Sequence, residues 1–271
     1  MSDDVRARSE RGRDCMSTIA GSKETAEVMS DFMESRGALG QIAQWTAAGE
    51  IWAREAFSRR DRSMAVIASL TALGREMELR QHVVGGLNHG LTVEEVDEIM
   101  VQLAPYIGMP FALAGSVVVD AVVAEREGGE TRKAPHAPLA EKSNAERRAD
   151  GLDVLIGLVG QPGFDGKAIE ASILESQRDM GVLVMDYAFG EVWARPQLSR
   201  RDRSLVVISA LTALNQTHEL EIHIGAGLNH GLTAAEVEEI MITMVAYGGF
   251  PRAIDGFNLT KKVVEARAAA G

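Results

Sequence analysis

The chain has 271 residues, of which 46 % are apolar, so it can fill one large core or two ordinary ones without a disulfide or a metal. Its net charge of −11 argues against a general nucleic-acid surface, which needs clustered lysine and arginine, but leaves room for an anionic small substrate. No apolar stretch approaches the roughly 18 to 20 residues of a membrane span, and no apolar leader is found, so we expect a soluble protein without a membrane partner.

The N-terminal residues 1–22 form a charged segment that we predict to be a flexible arm. It contains Cys15, the one cysteine of the chain, so neither a disulfide framework nor a CxxC redox pair can form within one chain. Chains without disulfides are typical of the cytoplasm, which is the compartment that we expect.

The first predicted domain covers residues 23–126, and its local signals are helical. The serine and aspartate of SRRDRS (58–63) form an N-cap pattern ahead of a long apolar run. This run predicts one long helix, which ends where Asn-His-Gly in GLNHGLT (86–92) suits a left-handed turn. Thr92 and Glu95 form a capping box for the next helix. Because alternating strand patterns are absent, the predicted class is all-α.

The second half of the chain repeats the first at a constant offset. Adding 141 to any residue number from Gly49 to Arg126 gives its counterpart without an insertion or a deletion. Between residues 49 and 100, 32 of 52 residues are identical to their counterparts, more than a shared helical composition explains. We therefore predict an internal duplication, with a Pro-, Gly- and charge-rich linker at 127–150 and a second repeat at 151–271.

The shared motifs are W-x-R, S-R-R-D-R-S, E-L-x-x-H, L-N-H-G-L-T-x-x-E and Y-x-G-x-P, and this ordered set resembles the carboxymuconolactone decarboxylase family. The likeness covers roughly residues 35–126 and 175–267, and it implies two tandem helical repeats of that alkylhydroperoxidase-like superfamily. Peroxidases of the superfamily use a CxxC pair ahead of the histidine. The corresponding places before His82 hold Arg75 and Glu78, so the resemblance does not imply a peroxidase.

The resemblance implies a lyase that needs no cofactor and releases CO2 from a small carboxylated lactone or a related cyclic acid. Loss of CO2 leaves a carbanion, so such a site must anchor a carboxylate, stabilise an oxyanion and deliver a proton to carbon. An isomerase, a ring-opening enzyme or a dehydratase could use the same residues. A non-catalytic helical assembly or ligand-binding protein would keep the same motifs for capping and packing.

Arginine suits the anchoring task because its planar guanidinium group binds a carboxylate through two charge-assisted hydrogen bonds. We predict Arg195 and Arg203 as catalytic anchors in the second repeat, with Arg54 and Arg62 as the substrate-binding equivalents in the first. The competing interpretation places the arginines of SRRDRS on the surface at a helix start. Because the first repeat departs from the family pattern at Glu55 and elsewhere, we expect the better site in the second repeat.

Each repeat also carries a glutamate four residues before a histidine, namely Glu78 before His82 and Glu219 before His223. Both side chains of such a pair share one helix face, so the carboxylate is predicted to fix the imidazole tautomer and to raise its pKa. The pair would then act as the catalytic acid; the alternative is a histidine buried for packing. His218, which has no counterpart in the first repeat, is either a substrate contact or a surface residue.

The remaining predicted substrate contacts are ring side chains, for which packing or helix capping is the competing interpretation: Trp52, Trp193, His230 and Tyr247. Neither HExxH nor a cysteine cluster occurs, so no metal ion is predicted. Single-copy members of the family form rings, commonly of six copies. The resemblance therefore implies that this duplicated chain assembles as a homotrimer.

Overall fold

The computed structural model describes residues 3–160 and 165–270. Within these two ranges the chain forms fourteen α-helices and two π-helical segments, and it contains no strand. The predicted all-α class is confirmed. None of the helices in the described ranges combines the length and the apolarity that crossing a bilayer requires.

The first repeat consists of α1 (Asp3–Ala20), α2 (Lys23–Glu34), α3 (Ala38–Ile42), π1 (Ala43–Trp52), α4 (Arg59–Ala72), α5 (Glu76–Asn88), α6 (Val93–Ile107) and α7 (Met109–Arg126). The second consists of α8 (Asn144–Val159), α9 (Gly166–Gln177), α10 (Asp179–Leu183), π2 (Val184–Trp193), α11 (Arg200–Leu214), α12 (Thr217–Asn229), α13 (Ala234–Tyr247) and α14 (Phe250–Ala270). Every element except α9 begins 141 residues after its counterpart. The duplication therefore extends over the whole described chain.

The N-terminal segment differs from the flexible arm that its charge predicts. Residues 3–20 form α1, which packs against π1 and α5. Its buried side chains Cys15, Met16 and Ile19 recur at helical spacing and join the hydrophobic core, while most of the charged residues that precede them are exposed. The first repeat thus begins with α1, and the second begins with α8. The connecting linker is residues 127–143, shorter than predicted.

The predicted single long helix is in fact two helices, α4 and α5. Gly74 lies between them with a left-handed φ of 64°, and Asn215 breaks the second repeat at the same place with φ of 58°. The predicted start is confirmed, since the Ser58 side chain accepts a hydrogen bond of 3.0 Å from the backbone N–H of Asp61. The predicted end agrees as well, because α5 ends at Asn88.

The helices α4 and α11 pack against each other at the centre of the molecule. All residues from Asp61 to Ala72 are buried, as are all residues from Asp202 to Ala213. Around this pair, α6 of the first repeat packs against α11, and α13 of the second packs against α4. Each repeat therefore completes the core of the other.

Reciprocal ion pairs join the N-terminal ends of α4 and α11. Arg60 lies 3.0 Å from Asp202, and Arg201 lies 2.9 Å from Asp61. Each arginine also lies 2.5 Å from the capping-box glutamate of its own repeat. The middle arginine of SRRDRS is thus a contact between the repeats, which explains why both copies carry it.

The linker is fixed to the surface of the first repeat by Arg132. Its guanidinium group, 6 % exposed, donates hydrogen bonds to Asp97 (2.5 Å) and Asp120 (3.0 Å). His136 lies 3.1 Å from the same Asp120. Asp97, Asp120 and His136 are close enough to share a cation, but the guanidinium of Arg132 already occupies both carboxylates.

Candidate active site

The sequence motifs of each repeat meet polar side chains of the other repeat in two equivalent places. Site 1 consists of Trp52, Arg54, Arg62 and His82 from the first repeat with Glu239, Thr243 and Tyr247 from the second. Site 2 consists of Trp193, Arg195, Arg203 and His223 from the second repeat with Glu98, Gln102 and Tyr106 from the first. The three partners of each site are spaced by four residues along one helix, so they share one face. Neither repeat holds a complete site alone.

In site 1 one buried carboxylate holds two arginines. Glu239 accepts hydrogen bonds from Nε of Arg54 (2.8 Å) and from Nη2 of Arg62 (3.1 Å), and Nη1 of Arg62 donates to Thr243 (2.6 Å). Burial acts to raise the pKa of Glu239, but the hydrogen bonds from the arginines outweigh it, and the pKa is lowered. Two guanidinium groups around one carboxylate leave the cluster with one excess positive charge.

The structure places Arg62 and Arg203, the predicted anchors for a substrate carboxylate, inside the protein. Both side chains are 0 % exposed, and burial lowers the pKa of each. Each donates to the glutamate of its site and to a backbone carbonyl of its own repeat. In this structure both guanidinium groups are enclosed by protein groups, and they hold the glutamate in place.

Site 2 repeats this cluster but is covered by the linker. Nε of Arg195 donates to both carboxylate oxygens of Glu98 at 3.0 and 2.9 Å. Its two terminal nitrogens donate to the backbone carbonyls of Pro138 (3.0 Å) and Ala137 (3.3 Å). The Arg195 side chain is consequently 7 % exposed, whereas that of Arg54 in site 1 is 43 % exposed.

Next to each arginine cluster, a tryptophan, a tyrosine and a histidine are in contact. In site 1 the Trp52 Nε1–H donates to the Tyr247 hydroxyl (2.7 Å), whose oxygen lies 3.1 Å from Nε2 of His82. The rings of Trp52 and His82 stack with centroids 5.5 Å apart. In site 2 Trp193 donates to Tyr106 (2.8 Å) and stacks on the histidine at 6.0 Å. The predicted ring residues thus lie within the sites.

The predicted increase in the histidine pKa is wrong. Burial lowers the pKa of His82 and of His223 to about 4, and the neighbouring His89 or His230 acts in the same direction. Only at His82 does a carboxylate, that of Glu78, act in the opposite direction. Both catalytic candidates are therefore neutral imidazoles at about pH 7, and the Nδ1 of each is buried without a hydrogen-bond partner in the described ranges.

The predicted glutamate–histidine hydrogen bonds are not formed. Glu78 accepts a hydrogen bond from Arg75 (3.1 Å) instead, and Glu219 is exposed at the start of α12. His218 is exposed beside it. These glutamates lie in the first turn of the helix and face solvent, while the histidine one turn later faces the core, so neither glutamate reaches the imidazole.

His230 is placed by a serine of α11. Its Nδ1 lies 2.8 Å from the Ser204 hydroxyl, and its ring centroid lies 5.8 Å from that of Trp193. Its counterpart His89 is held in the same way by Ser63 at 2.7 Å. Burial lowers the pKa of both histidines to about 4. They pack against the tryptophans from the helix ends.

Sequence reasoning missed the residues that each repeat contributes to the other's site: Glu98, Gln102, Glu239 and Thr243. A signal for them exists, because both repeats place a glutamate, a polar residue and a tyrosine four residues apart ahead of the G-x-P turn. Each of these glutamates lies in the N-terminal half of a helix that carries other acidic residues, and such a position is usually exposed to solvent. Only the packing of α6 and α13 against the opposite repeat buries them.

These features define a class of all-α proteins in which two tandem repeats share two composite sites. The family model described as "Carboxymuconolactone decarboxylase family" matches residues 41–121 and 179–262, more than half of the chain. The chain belongs to the carboxymuconolactone decarboxylase family, and the predicted resemblance with its tandem arrangement is confirmed.

Two relatives that are named as decarboxylases are similar to parts of this chain. The chain is 31 % identical over 121 residues to 4-carboxymuconolactone decarboxylase of Acinetobacter baylyi, which covers 45 % of this chain and 89 % of that protein. It is 32 % identical over 82 residues to nitrosuccinic acid decarboxylase of Metarhizium robertsii, which covers 30 % of this chain and 57 % of that protein. The similarity to the first relative spans one repeat's length of this chain.

Proposed function

We propose that this chain is a decarboxylase that needs no cofactor and removes CO2 from a small anionic cyclic acid, such as a carboxylated lactone. Family membership supports this, and both relatives carry names of decarboxylases. The observation that carries the proposal is the composite site, in which a cationic arginine–glutamate–arginine cluster and a neutral imidazole are both bonded to side chains of α13.

Site 1 is the site that we assign to the substrate, although the sequence favoured the second repeat. Arg54 donates hydrogen bonds to Glu239 through Nε and Nη2. Its Nη1 has no hydrogen-bond partner among the residues that the structure describes. Its side chain is 43 % exposed. A substrate carboxylate can therefore bind Arg54 without displacing a protein group, whereas at Arg195 it would have to displace two linker carbonyls.

We infer the tautomer of His82 from its hydrogen-bond partners. The Tyr247 oxygen accepts from Trp52, so the hydrogen of the tyrosine hydroxyl is free to be donated to Nε2 of His82. Burial raises the pKa of Tyr247, which keeps this hydrogen in place. The imidazole hydrogen then resides on Nδ1, the buried nitrogen without a partner. We propose that substrate binding exposes this nitrogen, which then donates to a substrate oxygen on which negative charge develops.

The same histidine carries the proton that the reaction consumes. An anionic substrate that reaches from Arg54 to His82 would bring negative charge to the imidazole and so raise its pKa from the lowered value. Protonation from solvent then accompanies substrate binding. When the C–C bond to the carboxylate breaks, its electron pair moves into the substrate as CO2 leaves, and the imidazolium proton is transferred to the carbanion carbon.

We also propose the predicted homotrimer. Large apolar side chains are exposed on the two counterpart helices α7 and α14: Phe111, Val117, Phe250 and Ile254. Such side chains on corresponding faces of both repeats suit contacts in a closed ring. Light scattering should give the mass of three chains; a stable monomer at micromolar concentration would contradict the trimer.

The function is tested by measuring CO2 release from 4-carboxymuconolactone and from other carboxylated cyclic acids. We expect turnover that treatment with a chelator does not change. His82→Ala should lower kcat by about 100-fold or more, the usual contribution of a proton-transferring group, while the matched variant His223→Ala keeps activity within a few-fold. No CO2 release above background from the whole panel would refute the proposal.

A further inference from the structure

A cavity of about 900 Å³ lies between α6, α7, π2 and the linker. This volume is typical of a small-molecule site. Its walls are largely apolar and are formed by Val93, Met100, Val101, Ala104, Leu113 and Leu139. Of the site 2 residues only Glu98 and Arg195 line it, and no residue of site 1 does. The cavity is thus separate from the tryptophan, tyrosine and histidine of either site.

The charges around the cavity do not favour an anion. Both arginines of its lining are saturated, since Arg195 is bonded to Glu98 and to the linker carbonyls, and Arg132 is bonded to two aspartates. Glu94 in the lining is exposed and has no ion partner in the described part of the chain. No guanidinium group is left for an incoming carboxylate, and the surplus charge of the lining is negative.

Tyr187 gives the cavity a polar group that lacks a partner. Its hydroxyl is buried and makes no hydrogen bond within the described residues, although buried hydroxyl groups are nearly always paired. Burial, together with the charge of Glu191, raises the pKa of this hydroxyl. Tyr187 therefore presents a neutral group that can both donate and accept a hydrogen bond.

We propose that this cavity binds a neutral, largely apolar small molecule, such as an aromatic or alicyclic alcohol, which hydrogen-bonds to the hydroxyl of Tyr187. The ligand lies under the linker, against the apolar faces of α6 and α7. It is distinct from the anionic substrate, because the groups that would hold a carboxylate here are already bonded within the protein.

The test uses 2-naphthol as a neutral probe and 2-naphthoate as an anion of the same ring size, titrated by fluorescence against the full-length chain at about pH 7. Val101→Trp should fill the cavity and weaken 2-naphthol binding at least tenfold. Ile242→Trp, the same change at the position 141 residues later, is the matched control and should keep the affinity within twofold. Tyr187→Phe should weaken binding by about three- to tenfold, the contribution of one neutral hydrogen bond.

A second filling variant, Ala134→Trp, lies on the linker outside the helical cores, so its effect does not depend on how the helices tolerate Val101→Trp. Wild-type affinity for 2-naphthol in both filling variants would overturn the proposal. So would 2-naphthoate binding that is lost in the same variants, because the site would then accept anions. CO2 release is a separate measurement, so the decarboxylase assignment and this site can fail independently.

Discussion

Site 1 and site 2 have the same tryptophan, arginines, glutamate, tyrosine and histidine, yet only site 2 is covered. The difference lies in the linker, whose carbonyls at residues 137 and 138 bind Arg195 and reduce its exposure to 7 %, against 43 % for Arg54. The linker leaves α7 and must reach α8, so it can run beside only one of two equivalent sites. Joining two copies into one chain is thus sufficient to make their sites unequal.

A second difference between the sites is small. Thr243 in site 1 corresponds to Gln102 in site 2, and both accept a hydrogen bond of 2.6 Å from the buried arginine. The threonine hydroxyl also donates to the backbone carbonyl of Glu239. In site 2 the Gln102 amide nitrogen is buried without a hydrogen-bond partner among the described residues. The larger contrast between the sites still comes from the outer arginine.

The largest expected effect comes from removing the buried glutamates. Glu98→Ala leaves both Arg195 and Arg203 buried without a carboxylate, and we expect a loss of about 4 to 5 kcal/mol in the free energy of unfolding. Glu239→Ala should cost only about 3 kcal/mol, because Arg54 can turn to water. Urea unfolding measures both, with the exposed Glu94→Ala as a control. Equal losses at the two glutamates would show that exposure does not separate the sites.

The next effect is the dependence of stability on pH. The pKa of His223 is lowered to about 4 in the folded state, so between about pH 6.5 and 4 the unfolded state binds more protons. Stability should fall as the pH is lowered through this window, by about 2 to 3 kcal/mol for this histidine.

The same measurement compares the two sites. His223→Gln should flatten the stability curve in this window slightly more than His82→Gln does, since the charge of Glu78 acts only on His82. His218→Gln is the matched control, the same change at an exposed position. If the two buried histidines can be replaced without changing the slope, their pKa values are not lowered.

The smallest effect should be the same in both repeats. Arg60→Ala and Arg201→Ala each remove one of the reciprocal ion pairs between α4 and α11, and these side chains are 28 % and 25 % exposed. We expect each change to cost about 1 kcal/mol, as is usual for partly exposed pairs in a network. Urea unfolding should give equal values. A clear difference between the two losses of unfolding free energy would mean that the linker, which contacts only site 2, also affects the ion pairs between α4 and α11.

Local features of this fold could be predicted from the sequence. The cap at Ser58 and the capping box of Thr92 and Glu95 depend only on residues three apart, and both are present. The constant offset of 141 identified the duplication for the same reason, since it requires only comparison along the chain. The family resemblance followed from these motifs.

The composite sites could not be predicted in this way. Arg54 meets Glu239 across 185 residues of sequence, and this contact depends on how α13 packs against the opposite repeat. The charge pattern of residues 3–20 likewise did not indicate a packed helix, because its apolar face becomes buried only when distant elements, chiefly π1 and α5, pack against it. The low pKa values of the histidines also result from burial, which the spacing of glutamate and histidine does not show.

The most direct test compares Arg54→Met with Arg195→Met in the CO2-release assay, using kcat/KM for 4-carboxymuconolactone or the best substrate of the panel. Methionine keeps most of the side-chain volume and removes the guanidinium group. We predict that Arg54→Met lowers kcat/KM by about 100-fold, as expected for the loss of a charged hydrogen-bonding pair at about 1.4 kcal/mol per tenfold, while Arg195→Met stays within a few-fold of the wild type. The reverse order, with the larger loss at Arg195, would contradict the assignment of the substrate to site 1.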